Sequence, residues 1–188
     1  MKKTTYLTQG AIIAATYFAL CMLIAPLAYG PLQFRLSEAL MLLPALTPAA
    51  VPGLFVGCLL FNLLNPMALG PIDVIFGSLA TLLAAMMTQR MGRFLQPPTS
   101  ELTPKNLKLW LLPLPAVLLN GLIVGGYLLF LLPNTAVTPI AILGSVLSIA
   151  ICEAVVIYAV GIPLTVTFLK SKQVRRQLRA GEDRWLTK

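Results

Sequence analysis

The chain has 188 residues, of which 58% are hydrophobic and 11% charged, and its mean hydropathy is +0.87. A soluble globular domain carries about 25% charged residues, so the composition excludes one and indicates an integral membrane protein. There is room for one helical bundle and no separate soluble domain. The net charge of +8 does not signal nucleic acid, because it is gathered at Lys2 and Lys3, at Arg90, Arg93, Lys105 and Lys108, and in the tail from Lys170 to Lys188. Lys and Arg flank membrane spans in this way on the cytoplasmic side. Cys21, Cys58 and Cys152 lie in apolar surroundings without CxxC spacing and read as small buried hydrophobes. The sequence contains no His, which removes the usual zinc ligand and the commonest general base.

Apolar stretches long enough to cross a hydrocarbon core of about 30 Å recur along the chain. The pattern predicts an all-α bundle of six transmembrane helices at about residues 8–28, 36–47, 51–64, 71–91, 109–132 and 139–169, followed by a basic tail over 170–188. The first stretch lacks a convincing cleavage site and reads as a retained helix, not a signal peptide. Pro26, Pro31, Pro48, Pro52, Pro66, Pro71, Pro133 and Pro139 mark the joins, since proline has no amide donor and suits helix starts and ends. The second and third helices are shorter than a full span, and a re-entrant hairpin is the alternative. Gly161 and Pro163 are expected to kink the sixth helix or end its membrane part. Six crossings return both termini to one side, and the basic segments then fall in the cytoplasm. Among the opposite connections, near 29–35, 65–70 and 133–138, only Arg35 is a formal charge.

Three of the six acidic residues, Glu38, Asp73 and Glu153, lie in or against the apolar stretches. A carboxylate at bilayer depth costs roughly 2.5–3.5 kcal/mol even on insertion scales, so it is ordinarily kept for a partner or ligand. Arg35, Asn62, Asn65 and Asn120 accompany them, and together they suggest a polar pocket open to the outside. Each has a plainer reading. Asp73 follows Pro71 at a helix start and suits simple capping; Arg35 and Glu38 are three apart and suit an interfacial pair. Asn65 before Pro66 suits a turn, and Asn62 and Asn120 suit helix–helix hydrogen bonding. Glu153 has no residue nearby in sequence to neutralise it, which makes it the clearest functional candidate. Ala11, Ala15 and Ala19 recur every four residues with Gly10 and Ala14 alongside, a ridge of small residues that lets another helix approach. Gly57 and the group Gly121, Gly125 and Gly126 permit close contacts too.

The block Gln33-Phe34-Arg35-Leu36-Ser37-Glu38-Ala39-Leu40, followed by Gly53, Gly57-Cys58, Asn62, Gly70, Asp73, Gly77-Ser78 and Ala80-Thr81, resembles the QueT transporter family across most of residues 6–170. These are substrate-binding S components of energy-coupling-factor importers for queuosine precursors. The resemblance implies an S-component-like bundle of six helices in the cell membrane that does no chemistry. It captures a small molecule outside and docks on a transmembrane T protein with two ATPase subunits. No cofactor is implied in this chain, ATP being used by the partner ATPases. It further implies that Ala11, Ala15 and Ala19 contact the T protein.

The implied ligand is a 7-deazaguanine such as 7-aminomethyl-7-deazaguanine, a cation at neutral pH with a guanine-like edge of donors. Glu38 or Glu153 is then expected to hold that edge or the amine, with Asp73, Asn120 and Asn62 in support and Arg35 at the ligand or fixing a carboxylate. Phe34, Tyr29 or Tyr127 would face the planar ring, and the loop from Tyr29 to Arg35 would act as a gate. The competing readings are an S component for another vitamin or purine-like compound, an autonomous ion-coupled carrier using Glu153 and Asp73, an intramembrane enzyme, for which no paired catalytic arrangement is evident, and a purely structural subunit. The chain has no P-loop, so ATP-driven transport requires another protein.

Overall fold

The computed structural model describes residues 3–25, 34–65, 69–95, 107–133 and 135–171, which are helical with no strand among them. The elements are α1 (Lys3–Leu23), α2 (Leu36–Ala45, wound as a 3-10 helix), α3 (Ala50–Leu64), α4 (Pro71–Leu95), α5 (Leu107–Leu111), α6 (Leu114–Leu131), α7 (Pro139–Val156) and α8 (Ile162–Lys170). A π turn, Ile157–Gly161, joins α7 to α8 without a break. Four stretches, Lys3–Leu23, Pro71–Leu95, Leu109–Leu131 and Pro139–Lys170, are long and apolar enough to cross a membrane, while Leu36–Ala45 and Ala50–Leu64 are shorter. The protein is a multi-pass membrane bundle.

Its polarity is arranged accordingly. Large apolar side chains such as Leu23, Phe94, Phe130 and Ile140 are exposed on the outside, where lipid is the solvent and no water is shunned. The main core joins Tyr17 of α1, Leu40 to Leu43 of α2, Leu54 and Phe61 of α3, Leu109 and Leu112, and Ile157. A smaller core of Ala80, Val124, Leu128 and Ile149 ties α4, α6 and α7. Small residues set the closest approaches. A Cβ on Gly53 would meet the Gly10 carbonyl at 2.8 Å, and one on Gly57 would meet the Ala14 carbonyl at 2.8 Å and Tyr17 Cβ at 2.9 Å. On α6, a Cβ on Gly125 would come within 2.6 Å of the Val146 backbone of α7. Gly10 and Ala14 thus serve packing of α1 on α3, whereas Ala11, Ala15 and Ala19 lie on the exposed face of the same helix.

Proline accounts for most departures from the expected elements. The segment expected as a helix over 36–47 is a 3-10 helix ending at Ala45, with Pro44 inside it. Proline has no N–H for the residue four earlier and its ring crowds that carbonyl; winding at about 2.0 Å per residue also gains length from few residues. The helix expected over 109–132 begins at Leu107 and is interrupted at Leu112–Pro113, for the same reason. Past Gly161 the last helix neither ends nor breaks: the π turn lies directly before Pro163 and the helix runs on to Lys170. The fourth helix extends to Leu95 instead of 91, and the first starts at Lys3 instead of 8. The tail beyond Ser171 and residues 26–33 lie outside the described residues.

Candidate functional site: a buried carboxylate cluster

All three acidic residues in the described segments turn inward. Asp73, Glu38 and Glu153 are respectively 0%, 1% and 5% exposed, and Arg35 is 6% exposed. They come from three elements: Arg35 just before α2, Glu38 in α2, Asp73 in the first turn of α4 and Glu153 near the end of α7. Arg35 is the extended N-cap residue of α2, tied to its first turn by the Glu38 amide, which donates to the Arg35 carbonyl at 3.2 Å.

The polar groups form a deep and a shallow set. In the deep set, the Tyr17 hydroxyl donates to Glu38 Oε1 at 2.5 Å, and Asn120 Nδ2 donates to Glu153 Oε1 at 2.5 Å. The carboxyl groups of Glu38 and Glu153 are close enough to interact electrostatically. In the shallow set, the Tyr127 hydroxyl donates to Asp73 Oδ1 at 2.6 Å, Asn62 Nδ2 donates to the Asp73 carbonyl at 3.3 Å, and the Phe76 ring lies 6.2 Å from that of Tyr127. The Asp73–Tyr127 bond places the start of α4 beside the end of α6. Asn120 is seven residues before Tyr127 on α6, so the two sets are about 10 Å apart along the bundle at 1.5 Å per residue. Arg35 interacts electrostatically with Asp73, Glu38 and Glu153, and its guanidinium lies 6.0 Å from the Phe61 ring centre.

Two carboxylate oxygens, Glu38 Oε2 and Asp73 Oδ2, are buried with no hydrogen-bond partner. A buried acceptor without a donor is costly, and a charged one more so. With three carboxyl groups against one guanidinium, the cluster has more acidic than basic groups. It is suited to a ligand that brings N–H donors and positive charge.

The plainer readings of several residues give way to this geometry. The Asp73 side chain bonds across the bundle instead of to the amides of its own first turn. Arg35 and Glu38 are buried, not an interfacial surface pair. Asn62 does join α3 to α4, at the backbone of Asp73 itself, and Asn65 closes α3 as its C-cap. Phe34 is half-buried beside Arg35. Tyr29 and most of the loop proposed as a gate fall outside the described residues.

Tyr17 escaped the sequence reading, and Gly77 entered it only as part of the family block. Tyr17 is fully buried on the face of α1 that also carries Ile13 and Cys21. Its signal was present, since a tyrosine in mid-span needs a partner for its hydroxyl. Gly77 on α4 stands in the shallow set: a Cβ there would meet Asn62 Nδ2 at 3.0 Å, Tyr127 Oη at 3.1 Å and Asp73 Oδ1 at 3.3 Å. Nothing in the sequence distinguishes that contact from ordinary helix packing.

Over 82 residues the chain is 35% identical to the queuosine precursor transporter QueT of Lactococcus lactis subsp. cremoris (strain MG1363), a stretch that covers 43% of this chain and 47% of that protein. The chain thus matches about half the length of this curated relative. No solved structure matches it. The family model described as QueT transporter matches residues 7–170, a range that contains every carboxylate, amide and tyrosine of the cluster. The chain belongs to the QueT transporter family.

Proposed function

We propose that the protein is the membrane-embedded capture subunit of an energy-coupling-factor importer for a queuosine precursor such as 7-aminomethyl-7-deazaguanine. The observation that carries the reading is the convergence of Glu38, Asp73, Glu153 and Arg35 inside the bundle with two carboxylate oxygens still lacking donors. A ligand with a guanine-like edge and an ammonium arm supplies those donors and offsets the excess of acidic groups. Membership of a transporter family and the queuosine precursor for which the Lactococcus relative is named support the ligand class.

In this reading α2 and α3 complete a six-helix S-component-like domain in the cell membrane, with both termini cytoplasmic and the ligand entering from outside. The exposure of Ala11, Ala15 and Ala19 along α1 supports their use as the surface for a transmembrane T protein, whose two ATPase partners would use the ATP. Calorimetric titration of the purified chain in detergent with 7-aminomethyl-7-deazaguanine, with guanine for comparison, tests the capture role. One-to-one binding that favours the aminomethyl compound is the expected result. A folded sample that gives no heat with it overturns the ligand assignment.

A further inference from the structure

We infer that the ligand lies end-on along the bundle, its guanine-like edge between Glu38 and Glu153 and its cationic arm at Asp73. This orientation rests on the capture role proposed above. The chemistry of the two sets is unequal. The deep set pairs two carboxyl groups with an amide, Asn120, so it offers several acceptors and an amide N–H. A guanine-like edge matches that inventory, with a ring N–H and an exocyclic amine as donors beside a carbonyl acceptor. An ammonium has three donors and no acceptor and would leave the amide unused.

The shallow set has one carboxylate, with one oxygen held by Tyr127 and the other, Oδ2, buried and open. The Tyr127 ring stands beside this carboxylate, and aromatic faces attract a cation. A single ammonium matches that end. The axial offset of about 10 Å suits a ligand whose donor groups lie at opposite ends of a fused bicycle with a short arm. Arg35 interacts electrostatically with Asp73 and with Glu38 and Glu153 and offsets part of their charge.

The test is a titration of three ligands into the wild type, Asp73→Asn and Glu153→Gln, each in detergent. The ligands are 7-aminomethyl-7-deazaguanine, its 7-cyano counterpart with a neutral arm, and guanine without an arm. In the expected outcome Asp73→Asn weakens the aminomethyl compound by roughly tenfold or more, the scale of a lost charged hydrogen bond, and leaves the 7-cyano compound within about twofold. Glu153→Gln weakens all three together. Thermal unfolding of the unliganded variants confirms that each is folded. The orientation is overturned if Glu153→Gln selectively abolishes the preference for the aminomethyl arm, or if Asp73→Asn weakens the cyano and aminomethyl compounds equally. A wild type that binds none of the three overturns the capture reading itself, and the orientation with it.

Discussion

Gly77 offers the sharpest probe of the site, because its substitution adds one methyl group at a known place. A Cβ at this position would stand 3.0 Å from Asn62 Nδ2, 3.1 Å from Tyr127 Oη and 3.3 Å from Asp73 Oδ1. All three atoms end side chains that can retreat, so the helix itself survives. They are also the atoms that orient Asp73: Asn62 bonds its carbonyl and Tyr127 its carboxylate. Retreat therefore loosens those bonds or narrows the space beside Oδ2. Overpacking of this kind costs typically about 1–3 kcal/mol, which on binding is roughly 5-fold to 150-fold in Kd. Replacing a helical glycine by alanine returns up to about 1 kcal/mol of folding stability, so the thermal midpoint of Gly77→Ala should change little while affinity falls. Gly126→Ala is the control, as a Cβ there meets nothing within 4 Å. Calorimetric titration of both variants with 7-aminomethyl-7-deazaguanine is the assay. If folded Gly77→Ala binds as tightly as the wild type, the Asn62–Asp73–Tyr127 set is not part of the ligand site.

Two further outcomes are expected. Tyr17→Phe keeps the packed ring but removes the 2.5 Å bond to Glu38 Oε1; a hydrogen bond to a charged group is worth about 1.5–3 kcal/mol. Its thermal midpoint should fall and its ligand affinity drop about tenfold, and an unchanged variant would show that Glu38 is held by other groups. Ala15→Leu adds bulk on the exposed face of α1 and should leave ligand binding intact while preventing co-purification with the T protein and its ATPases; retained assembly would remove that face from the docking role.

The carboxylates were legible in the sequence because charge inside an apolar run has few structural uses. Glu153 was the clearest, and it does meet an amide, Asn120, from another helix. What the sequence could not supply is pairing across distance. Asp73 and Tyr127 are 54 residues apart, and no local pattern links them. Local spacing also leaves Arg35 and Glu38 open to an interfacial pairing, which their burial at the start of the 3-10 helix rules out. The small-residue pattern on helix 1 was visible, but not its division into two faces. That division depends on where Gly53 and Gly57 of α3 press against α1, a tertiary fact. The π turn at Ile157–Gly161 followed neither from Gly161 nor from Pro163 alone, since a kink, a stop and a widened turn all accommodate the missing amide donor.

In the proposed capture role, the cluster ties stability to ligand binding. Tyr17, Tyr127 and Asn120 each hold one carboxylate oxygen, which is enough to orient Glu38, Asp73 and Glu153 but not to satisfy them. A protein built only for stability would replace such a cluster with apolar side chains at little loss or some gain. Here Glu38 Oε2 and Asp73 Oδ2 are left without donors inside a bundle that is otherwise closely packed. Whatever supplies those donors stabilises the folded state by mass action in proportion to its concentration over Kd. The same unpartnered oxygens that cost folding energy therefore favour a ligand with matching donors in the proposed role. A ligand without donors would bury the carboxylates further and relieve neither, whereas one with donors at both levels of the bundle relieves both.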